Sequence, residues 1–319
     1  MLSRITPVFA VVIALGLSAC VNKAEISAQG PAATAASPPA ASTPAPSQRG
    51  GEGAELAARL KAICERAGGR CGVAVTHVET GDGASVGGDT PLPLYSVFKL
   101  PLAVAVLREV EEGRLGLDQK VHVEPEETVP GTKANSDLWL KPSDRTVREL
   151  LEFSLARSDN TSSDKMLELV GGPEAVTRRM RALGLNHIEV RATVKEFLKS
   201  KDAHPNTGAP SDLARLLALL QKGEALAPPH AEVLLGIMAR TVTGDRRLRA
   251  GPPAGTPVAD KTGSGPSTTN DVGIVTLPGD GGHLALAVLL DASTLPGGKQ
   301  EDLIAEVARA AYDAHVKGR

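Results

Sequence analysis

The sequence predicts an α/β (α+β) fold in which an antiparallel five-stranded sheet is flanked by helices and joined to an all-helical lobe. Strand-like segments lie near both ends of the folded part of the chain, and the long middle is helical. A sheet assembled from distant parts of a chain, with helices between, is typical of this class. A cleft between the sheet and the helical lobe is the expected place for chemistry.

Hydrophobic periodicity assigns the elements in order. Residues 54–67 place Leu56, Leu60 and Ile63 on one helical face. Residues 71–77 are predicted to form a strand, and the turn sequence Gly81-Asp82-Gly83 after it predicts a hairpin. Further helices are predicted at 96–112, 146–170, 173–183, 211–221, 230–240 and 299–316. The remaining strands are predicted at 256–261, 271–277 and 283–291.

Composition excludes several classes of function. The 319 residues carry Lys+Arg 35 against Asp+Glu 37, a formal net charge of -2, so the chain lacks the basic surface of a nucleic-acid-binding protein. Aromatic residues make up only 2%, which disfavours a platform for stacking bases. The histidines follow neither H-x-H nor H-E-x-x-H spacing. We therefore expect no nucleic-acid partner, no metal and no cofactor.

The N-terminus predicts export. Arg4 precedes an apolar run that is shorter than the roughly 20 residues needed to span a bilayer, as in a secretory signal. The run ends at Leu17-Ser18-Ala19-Cys20, which resembles the lipobox of bacterial lipoproteins; the alternative is an ordinary signal peptide with an incidental cysteine. We predict a signal peptide at 1–19, a lipid anchor on Cys20 and a position on the periplasmic face of a bacterial membrane.

Residues 20–53 are rich in Ala, Pro, Ser and Thr, and predict a disordered linker because they cannot bury enough apolar surface to fold. A single folded domain is predicted at 54–319, and we expect it to be a monomer. Cys64 and Cys71 lie on either side of Gly68-Gly69, between the first helix and the first strand. In an oxidising compartment they form either a disulfide or two free buried thiols, and the sequence leaves both open.

A Ser-x-x-Lys motif at Ser96 and Lys99 opens a predicted helix. Residues three apart share a helical face, so the amine of Lys99 can remove the proton that makes the Ser96 hydroxyl a poor nucleophile. The motif is common by chance, and Ser162 with Lys165 repeats it. Ser96 is preferred because it follows a proline-rich turn at the start of a helix.

Two further motifs follow in order. Ser158-Asp159-Asn160 offers a second hydroxyl that can pass on a proton and an amide that can both donate and accept hydrogen bonds. Lys261-Thr262-Gly263, on a predicted strand, presents a cation and a hydroxyl beside a glycine that lets a ligand approach the backbone. Taken alone, the first is equally well explained as a helix cap and the second as a solvated lysine beside a turn.

Together, the three motifs resemble those of class A serine β-lactamases, over roughly residues 54–316. Ser96 and Ser158 lie 62 residues apart, and Ser158 and Lys261 lie 103 apart. The stretch TVTGDRRLR at 241–249 and the pair Asn270-Asp271 extend the likeness. The resemblance implies a β-lactamase/penicillin-binding transpeptidase-like fold and a serine β-lactamase, a hydrolase that opens the cyclic amide of β-lactam antibiotics through a Ser96 acyl-enzyme.

The resemblance also implies the catalytic roles. Ser96 attacks the lactam carbonyl with Lys99 as base, and Ser158 relays a proton to the ring nitrogen. The backbone N–H groups of Ser96 and Ser264 form the oxyanion hole, which stabilises the charge that develops on the carbonyl oxygen.

Substrate-binding roles are implied in the same way. Lys261, Thr262 and Arg247 bind the carboxylate of the drug, and Asn160 binds its side-chain amide.

One element of the family is missing. Class A enzymes carry an E-x-x-L-N motif in a loop after Ser-Asp-Asn, and its Glu activates the water that cleaves the acyl-enzyme; this chain has no such motif. The loop is predicted from Arg191 to Asn206, where Asn replaces the Asp that usually pairs with the Arg. The corresponding position falls on Thr193 or Val194, neither of which is a base. Glu196, the nearest downstream carboxylate, is either the deacylation base or a solvated loop charge.

Two other functions share the three motifs. One is a D-alanyl-D-alanine peptidase or penicillin-binding protein. The other is a penicillin receptor that is acylated and stays modified. All three functions predict acylation of Ser96, and they differ in what leaves the enzyme afterwards.

Overall fold

The structure, a computed structural model, describes residues 50–131, 135, 137–199 and 205–316. The predicted signal peptide, Cys20 and nearly all of the predicted linker lie outside these residues. The described helices are α1 Gly50–Cys64, α2 Lys99–Glu111, α3 Val147–Ala156, α4 Asn160–Leu169, α5 Pro173–Ala182, α6 Val194–Lys199, α7 Pro210–Gln221, α8 Pro228–Ala239 and α9 Gly297–Val316. The described strands are β1 Arg70–His77, β2 Gly83–Val86, β3 Leu92–Pro93, β4 Lys120–Val123, β5 Ser143–Thr146, β6 Thr207–Gly208, β7 Val258–Gly265, β8 Thr268–Thr276 and β9 His283–Asp291.

The central sheet has five strands in the order β2-β1-β9-β8-β7, and every neighbouring pair is antiparallel. Strand β1, from the start of the domain, pairs with β9, from its end, so that Cys71 lies opposite Leu290. This confirms the predicted five-stranded antiparallel sheet built from both ends of the chain.

Both faces of the sheet are buried, which explains why β9 is an almost continuous apolar run. Successive side chains of a strand point to opposite faces. Leu286 and Val288 pack in a cluster with α1 and α9, whereas Ala287 and Leu289 pack with α7 and the helical lobe. Helices therefore cover the sheet on both sides.

Helix α2 lies in the core of the helical lobe. Every residue from Lys99 to Leu107 is buried, and after Lys99 the next polar residue of the helix is Arg108. All but one of these buried residues are apolar or proline, and the exception is Lys99. Burial of α2 on all sides therefore takes the Lys99 ammonium out of water.

The prediction of a single helix over 146–170 is wrong. The structure breaks it into α3 and α4, with Ser158 at φ 56° between them. Asp159 caps α4, because its carboxylate accepts a hydrogen bond from the backbone N–H of Ser162 at 2.7 Å. Asp at a helix N-cap competes with a continuous helix, and the break turns Ser158 and Asn160 toward α2.

Several local features were not predicted. Helix α1 begins at Gly50 rather than at residue 54, so it includes the last residues assigned to the linker. The loop predicted from 191 to 206 contains the short helix α6. Two small ladders, β3 with β6 and β4 with β5, lie outside the central sheet. Of the two states that the sequence left open for Cys64 and Cys71, the structure has the disulfide, which joins them across the turn between α1 and β1.

Candidate active site

Ser96 lies in a 3₁₀ turn, Tyr95–Phe98, that runs directly into α2. Its side chain is half-buried. Tyr95, immediately before it, has a φ of 47°, a left-handed conformation that costs free energy in any residue other than glycine. The surrounding structure must therefore hold this turn in place.

Asn270 on β8 supplies that support. Its Nδ2 donates hydrogen bonds to the carbonyl oxygens of Pro93 at 2.8 Å and Leu94 at 3.1 Å. Its Oδ1 accepts a hydrogen bond from the N–H of Leu290 on β9 at 3.1 Å. Asn270 is fully buried, so the sheet fixes the chain just ahead of Ser96.

Lys99 is fully buried one turn after Ser96. Its Nζ donates to Asn160 Oδ1 at 2.8 Å and to the backbone carbonyls of Ser158 at 2.7 Å and Asp159 at 3.1 Å. Burial moves the pKa of Lys99 well below its usual range, and the charge of Lys261 acts in the same direction. The shift raises the fraction of neutral amine, which is the form that can accept a proton.

The hydroxyl of Ser158 lies between two lysines. Lys261 Nζ, on β7, donates to Ser158 Oγ at 3.1 Å, and Lys99 Nζ lies 3.5 Å from the same oxygen. Lys261 also donates to the carbonyl of Thr262 at 2.8 Å. Burial lowers the pKa of Lys261 to about 8. The pair of lysines gives the Ser158 hydroxyl a source of protons on either side.

Two carboxyl groups are buried behind Lys261. Asp260 and Asp271 are both fully buried, and the pairing of β7 with β8 puts them on the same face, since Asp260 lies opposite Gly273 and Asp271 lies two residues before it. Arg249 lies 2.5 Å from Asp260. Burial raises the pKa of Asp260 to about 6, and burial together with the charge of Asp260 raises the pKa of Asp271 well above its usual range.

Arg247 lies buried beneath the end of β7. Its guanidinium donates to Ser264 Oγ at 2.8 Å and to the carbonyls of Gly263 at 3.1 Å and Asn270 at 2.9 Å. Glu301 pairs with it at 3.2 Å. These partners aim one edge of the guanidinium at the Ser264 hydroxyl.

Ser96, Asn160 and Ser264 line one cavity of about 480 Å³. Its apolar walls include Tyr95 and Phe197, whose rings meet edge to face with centroids 6.0 Å apart. The cavity lies where the nucleophile turn, the α3–α4 loop and β7 converge. The structure thus brings together the Ser-x-x-Lys, Ser-Asp-Asn and Lys-Thr-Gly motifs.

Comparison with known proteins identifies this arrangement. The sequence profile described as the β-lactamase enzyme family matches residues 55–315. The chain belongs to that family. Because it carries the three motifs and is similar to a class A enzyme, it is a class A serine β-lactamase, a hydrolase acting on β-lactams.

The similarity to individual relatives extends over nearly the whole folded domain. A β-lactamase from Streptomyces fradiae is 32% identical over 92% of this chain and 96% of its own length. The crystal structure of a β-lactamase from Chitinophaga pinensis superposes with a TM-score of 0.78 at 34% identity, covering 82% of this chain and 99% of that one. A variant of the last common ancestor of Gram-negative class A β-lactamases gives a TM-score of 0.74 at 36% identity, covering 83% and 100%.

The loop of this β-lactamase that lacks the E-x-x-L-N motif faces the cavity with Thr193, Val194 and Phe197. Glu196 is exposed and does not line it. Its Oε2 accepts hydrogen bonds from Thr193 Oγ1 at 2.9 Å and from the N–H of Thr193 at 2.8 Å. Glu196 therefore contacts Thr193, which lines the cavity, but does not itself reach the cavity.

Asn206 takes over the support that an Arg–Asp ion pair was expected to give the loop. Its Oδ1 accepts from the N–H groups of Arg191 at 2.8 Å and Ala192 at 3.1 Å, and its Nδ2 donates to the carbonyl of Ala192 at 3.2 Å. The guanidinium of Arg191 pairs instead with Glu189 and with Thr207 Oγ1 at 3.0 Å. The loop lacks the Arg–Asp ion pair, and hydrogen bonds from the side chain of Asn206 fix its backbone instead.

Sequence reasoning missed Asp164. Its two carboxylate oxygens accept from the N–H groups of Val194 and Lys195, each at 2.8 Å, and so fix the first turn of α6. Asp164 follows Asn160 by four residues on α4 and therefore shares its helical face. That spacing was the available signal, but it does not reveal a contact with a loop 30 residues further on.

Thr243 was also missed. Its Oγ1 lies 2.7 Å from Thr262 Oγ1, so a second hydroxyl sets the orientation of the predicted binding threonine. The repeated Ser-x-x-Lys motif has no part in the site. Ser162 is fully buried and donates to Asp159, and Lys165 pairs with Glu127.

Proposed function

We propose that this β-lactamase hydrolyses β-lactam antibiotics through an acyl-enzyme on Ser96. The observation that carries the proposal is the Ser158 hydroxyl, which lies between the amines of Lys99 and Lys261. Lys99 also donates to Asn160, which lines the cavity together with Ser96. A chain of proton carriers beside a nucleophile is what opening of an amide ring requires, because the ring nitrogen must be protonated as the C–N bond breaks.

Acylation follows from these positions. Neutral Lys99 accepts the proton of Ser96 as its Oγ attacks the lactam carbonyl carbon. The N–H groups of Ser96 and Ser264 stabilise the resulting oxyanion. When the C–N bond breaks, Ser158 gives its proton to the ring nitrogen and regains one from Lys99. All proton carriers return to their starting state, and the acyl group remains on Ser96.

Substrate binding uses the cations at the end of β7. We assign the carboxylate of the drug to Lys261, Thr262 and Arg247, because the last lies beside Ser264 and the first two are held by backbone and side-chain hydrogen bonds. Asn160 binds the side-chain amide of the drug while its Oδ1 holds Lys99. Hydrolysis of the ester then requires a base, for which we assign Glu196.

Intact-mass spectrometry of the full chain with benzylpenicillin tests the proposal. We expect a transient increase by one drug molecule, absent in Ser96→Ala. Ser162→Ala is the matched control, since it removes the serine of the repeated motif, and its adduct should still form. An adduct on Ser96→Ala, or loss of the adduct only in Ser162→Ala, would contradict the assignment.

Product analysis separates the alternatives. Steady hydrolysis of a chromogenic cephalosporin supports the β-lactamase, whereas release of D-alanine from an acyl-D-alanyl-D-alanine peptide would support a peptidase. A single burst of one equivalent, with no further turnover, would support a penicillin receptor.

We also propose that the chain is exported and held at the periplasmic face of a membrane by a lipid on Cys20. The Leu17-Ser18-Ala19-Cys20 sequence supports this. In membrane fractionation we expect Cys20→Ala to move the enzyme into the water-soluble periplasmic fraction. An unchanged distribution would remove the anchor from the proposal.

A further inference from the structure

The groups assigned above are those needed to form the acyl-enzyme, but within the described part of the 191–206 loop no residue that lines the cavity carries a carboxylate or an imidazole. The loop contributes Thr193, Val194, Phe197, Leu198, Pro205 and Asn206 to the lining. Water that enters the cavity beside Ser96 therefore meets apolar side chains, one hydroxyl and one amide on this side. Glu196, a carboxylate of the described part of the loop, lies behind the hydroxyl of Thr193.

The hydrogen bonds of Thr193 leave it able to serve that water. Its hydroxyl donates to Glu196 Oε2 at 2.9 Å and accepts from the N–H of Glu196 at 3.1 Å. A hydroxyl has one hydrogen and two lone pairs, so these two contacts leave one lone pair of Thr193 Oγ1 for a hydrogen bond from a water in the cavity.

The geometry alone does not distinguish this pair from a helix cap. Thr146 and Glu149, at the start of α3, make the same three contacts at 2.7, 3.0 and 3.2 Å. What differs is position: Thr193 lines the cavity that contains Ser96, and Thr146 does not.

The backbone on both sides of Thr193 is also fixed. Asp164 accepts hydrogen bonds from the N–H groups of Val194 and Lys195 just after it. Asn206 holds Ala192 just before it, because its Oδ1 accepts from the N–H of Ala192 and its Nδ2 donates to the carbonyl of Ala192. A side chain held from both sides presents its hydroxyl in one orientation, which general-base catalysis requires.

We propose that Thr193 and Glu196 act together as the base for deacylation, resting on the proposed acyl-enzyme at Ser96. A water in the cavity gives a proton to Thr193 Oγ1 while the proton of Thr193 moves to Glu196 Oε2, and the water oxygen bonds to the ester carbonyl carbon. The tetrahedral intermediate then breaks its bond to Ser96 Oγ. The proton on Glu196 returns through Thr193 and a water molecule to Ser96 Oγ, so one water is consumed and the enzyme is restored.

Three variants of the full chain test the relay with benzylpenicillin, using quenched single-turnover reactions and intact mass to follow the acyl-enzyme. Thr193→Ala removes the hydroxyl, and Thr193→Ser keeps it. Glu196→Gln keeps an oxygen that accepts the hydrogen bonds of Thr193 but cannot take a proton. We expect Thr193→Ala and Glu196→Gln to lengthen the acyl-enzyme lifetime by about 100-fold or more. The lifetime in Thr193→Ser should stay within about threefold of that in wild type. Acylation rates should not change.

Thr146→Ala and Glu149→Gln are the matched controls. They damage the equivalent cap of α3 and should lower the melting temperature without changing the acyl-enzyme lifetime. Equal lengthening in the controls, unchanged lifetimes in Thr193→Ala and Glu196→Gln, or no rescue by Thr193→Ser would overturn the relay.

Failure of the relay and failure of the proposed function give different results. If the relay alone is wrong, wild type still acquires the adduct on Ser96 and still loses it, and the adduct leaves equally fast in every variant. If the proposed function is wrong, either no adduct appears on Ser96 in any variant, or the adduct appears and wild type does not release it.

Discussion

Lys261 donates a hydrogen bond of 3.1 Å from its Nζ to the Oγ of Ser158, a residue 103 positions earlier in the chain. The contact joins the middle of β7 to the loop between α3 and α4. It couples the group assigned to bind the carboxylate of the substrate to the group assigned to protonate the leaving nitrogen, so the charge of Lys261 matters to both steps.

The first prediction concerns pH. Because the pKa of Lys261 lies at about 8, the ammonium is present below that pH and lost above it. We expect kcat/KM for benzylpenicillin to fall as pH rises through about 8, since neutral Lys261 no longer attracts the substrate carboxylate. A pH series of initial rates measures this.

The charge-dependent binding has two controls. The methyl ester of benzylpenicillin carries no carboxylate, so its alkaline limb should be shallower. Lys261→Arg stays charged throughout this range and should move the limb to higher pH. A limb of equal depth for acid and ester would show that it reports another group.

The second prediction concerns Asn270. Asn270→Ala leaves the carbonyls of Pro93 and Leu94 and the N–H of Leu290 without their buried partner. We expect a loss of about 2–4 kcal/mol in the free energy of unfolding, together with slower acylation, because the turn that carries Ser96 is no longer held. Chemical denaturation and single-turnover acylation measure the two effects.

Thr269→Val is the control for Asn270. Thr269 is the neighbouring buried residue of β8, and its hydroxyl donates to Gln300 Oε1 at 2.7 Å, away from the nucleophile turn. Its loss should lower stability without slowing acylation. If both variants slow acylation in proportion to their instability, Asn270 has no specific positioning role.

The outcome for Ser158 and Glu196 shows what the sequence could and could not predict. Motif order predicted which residues meet, since Ser96, Ser158 and Lys261 converge from three distant segments as expected. Periodicity failed at Ser158, because the residues around it fit a helical pattern, and only the capping carboxylate of Asp159 ends α3 and restarts the chain as α4.

The supporting residues were hidden for a different reason. Asp164 and Asn206 act on backbone N–H groups of the same loop, and a contact with backbone leaves no pairing pattern between side chains in a single sequence. Helix α6 is six residues long, too short for its periodicity to stand out. The relation of Thr193 to Glu196 therefore required the structure.

The third prediction concerns the buried pair Asp260 and Asp271. Both have pKa values raised above their unfolded value near 3.8, so folding takes up protons. Between that pH and the folded pKa, which is about 6 for Asp260, the folded state binds more protons than the unfolded one. Over that range stability falls as pH rises, by about 1.4 kcal/mol per pH unit for each proton. Burial and the neighbouring charge of Asp260 both favour the protonated form of Asp271, so we expect Asp271 to be the group of the pair that keeps its proton.

Asparagine variants separate the two groups. Asp271→Asn resembles the protonated acid and can still accept from the N–H of Leu248, so we expect less than about 1 kcal/mol of change at pH 7 and a flatter pH dependence of stability. Asp260→Asn removes the negative charge that faces the partly buried Arg249 and should cost about 1–3 kcal/mol. Denaturant titrations at pH 5, 7 and 9 measure the free energy of unfolding of both variants. A larger loss in Asp271→Asn than in Asp260→Asn would place the proton on Asp260.

The last prediction concerns the acyl side chain of the substrate. The rings of Tyr95 and Phe197 form an apolar wall of the cavity beside Ser96, so a benzyl group bound there is removed from water. We expect Tyr95→Ala to lower kcat/KM for benzylpenicillin by about tenfold and to leave 6-aminopenicillanic acid, which lacks the acyl group, nearly unchanged. The ratio of the two values is the measurement, since general damage to the site lowers both alike.

Gly265 provides an independent check on the same ring. A Cβ at this position would lie 2.2 Å from Tyr95 Cζ, closer than any packing allows, so Gly265→Ala must displace the ring and should reduce the same ratio. In the double variant Tyr95→Ala/Gly265→Ala the collision is gone, and the alanine at 265 should add no further loss. Additive losses would mean that Gly265 acts on the substrate directly and that Tyr95 does not form the wall.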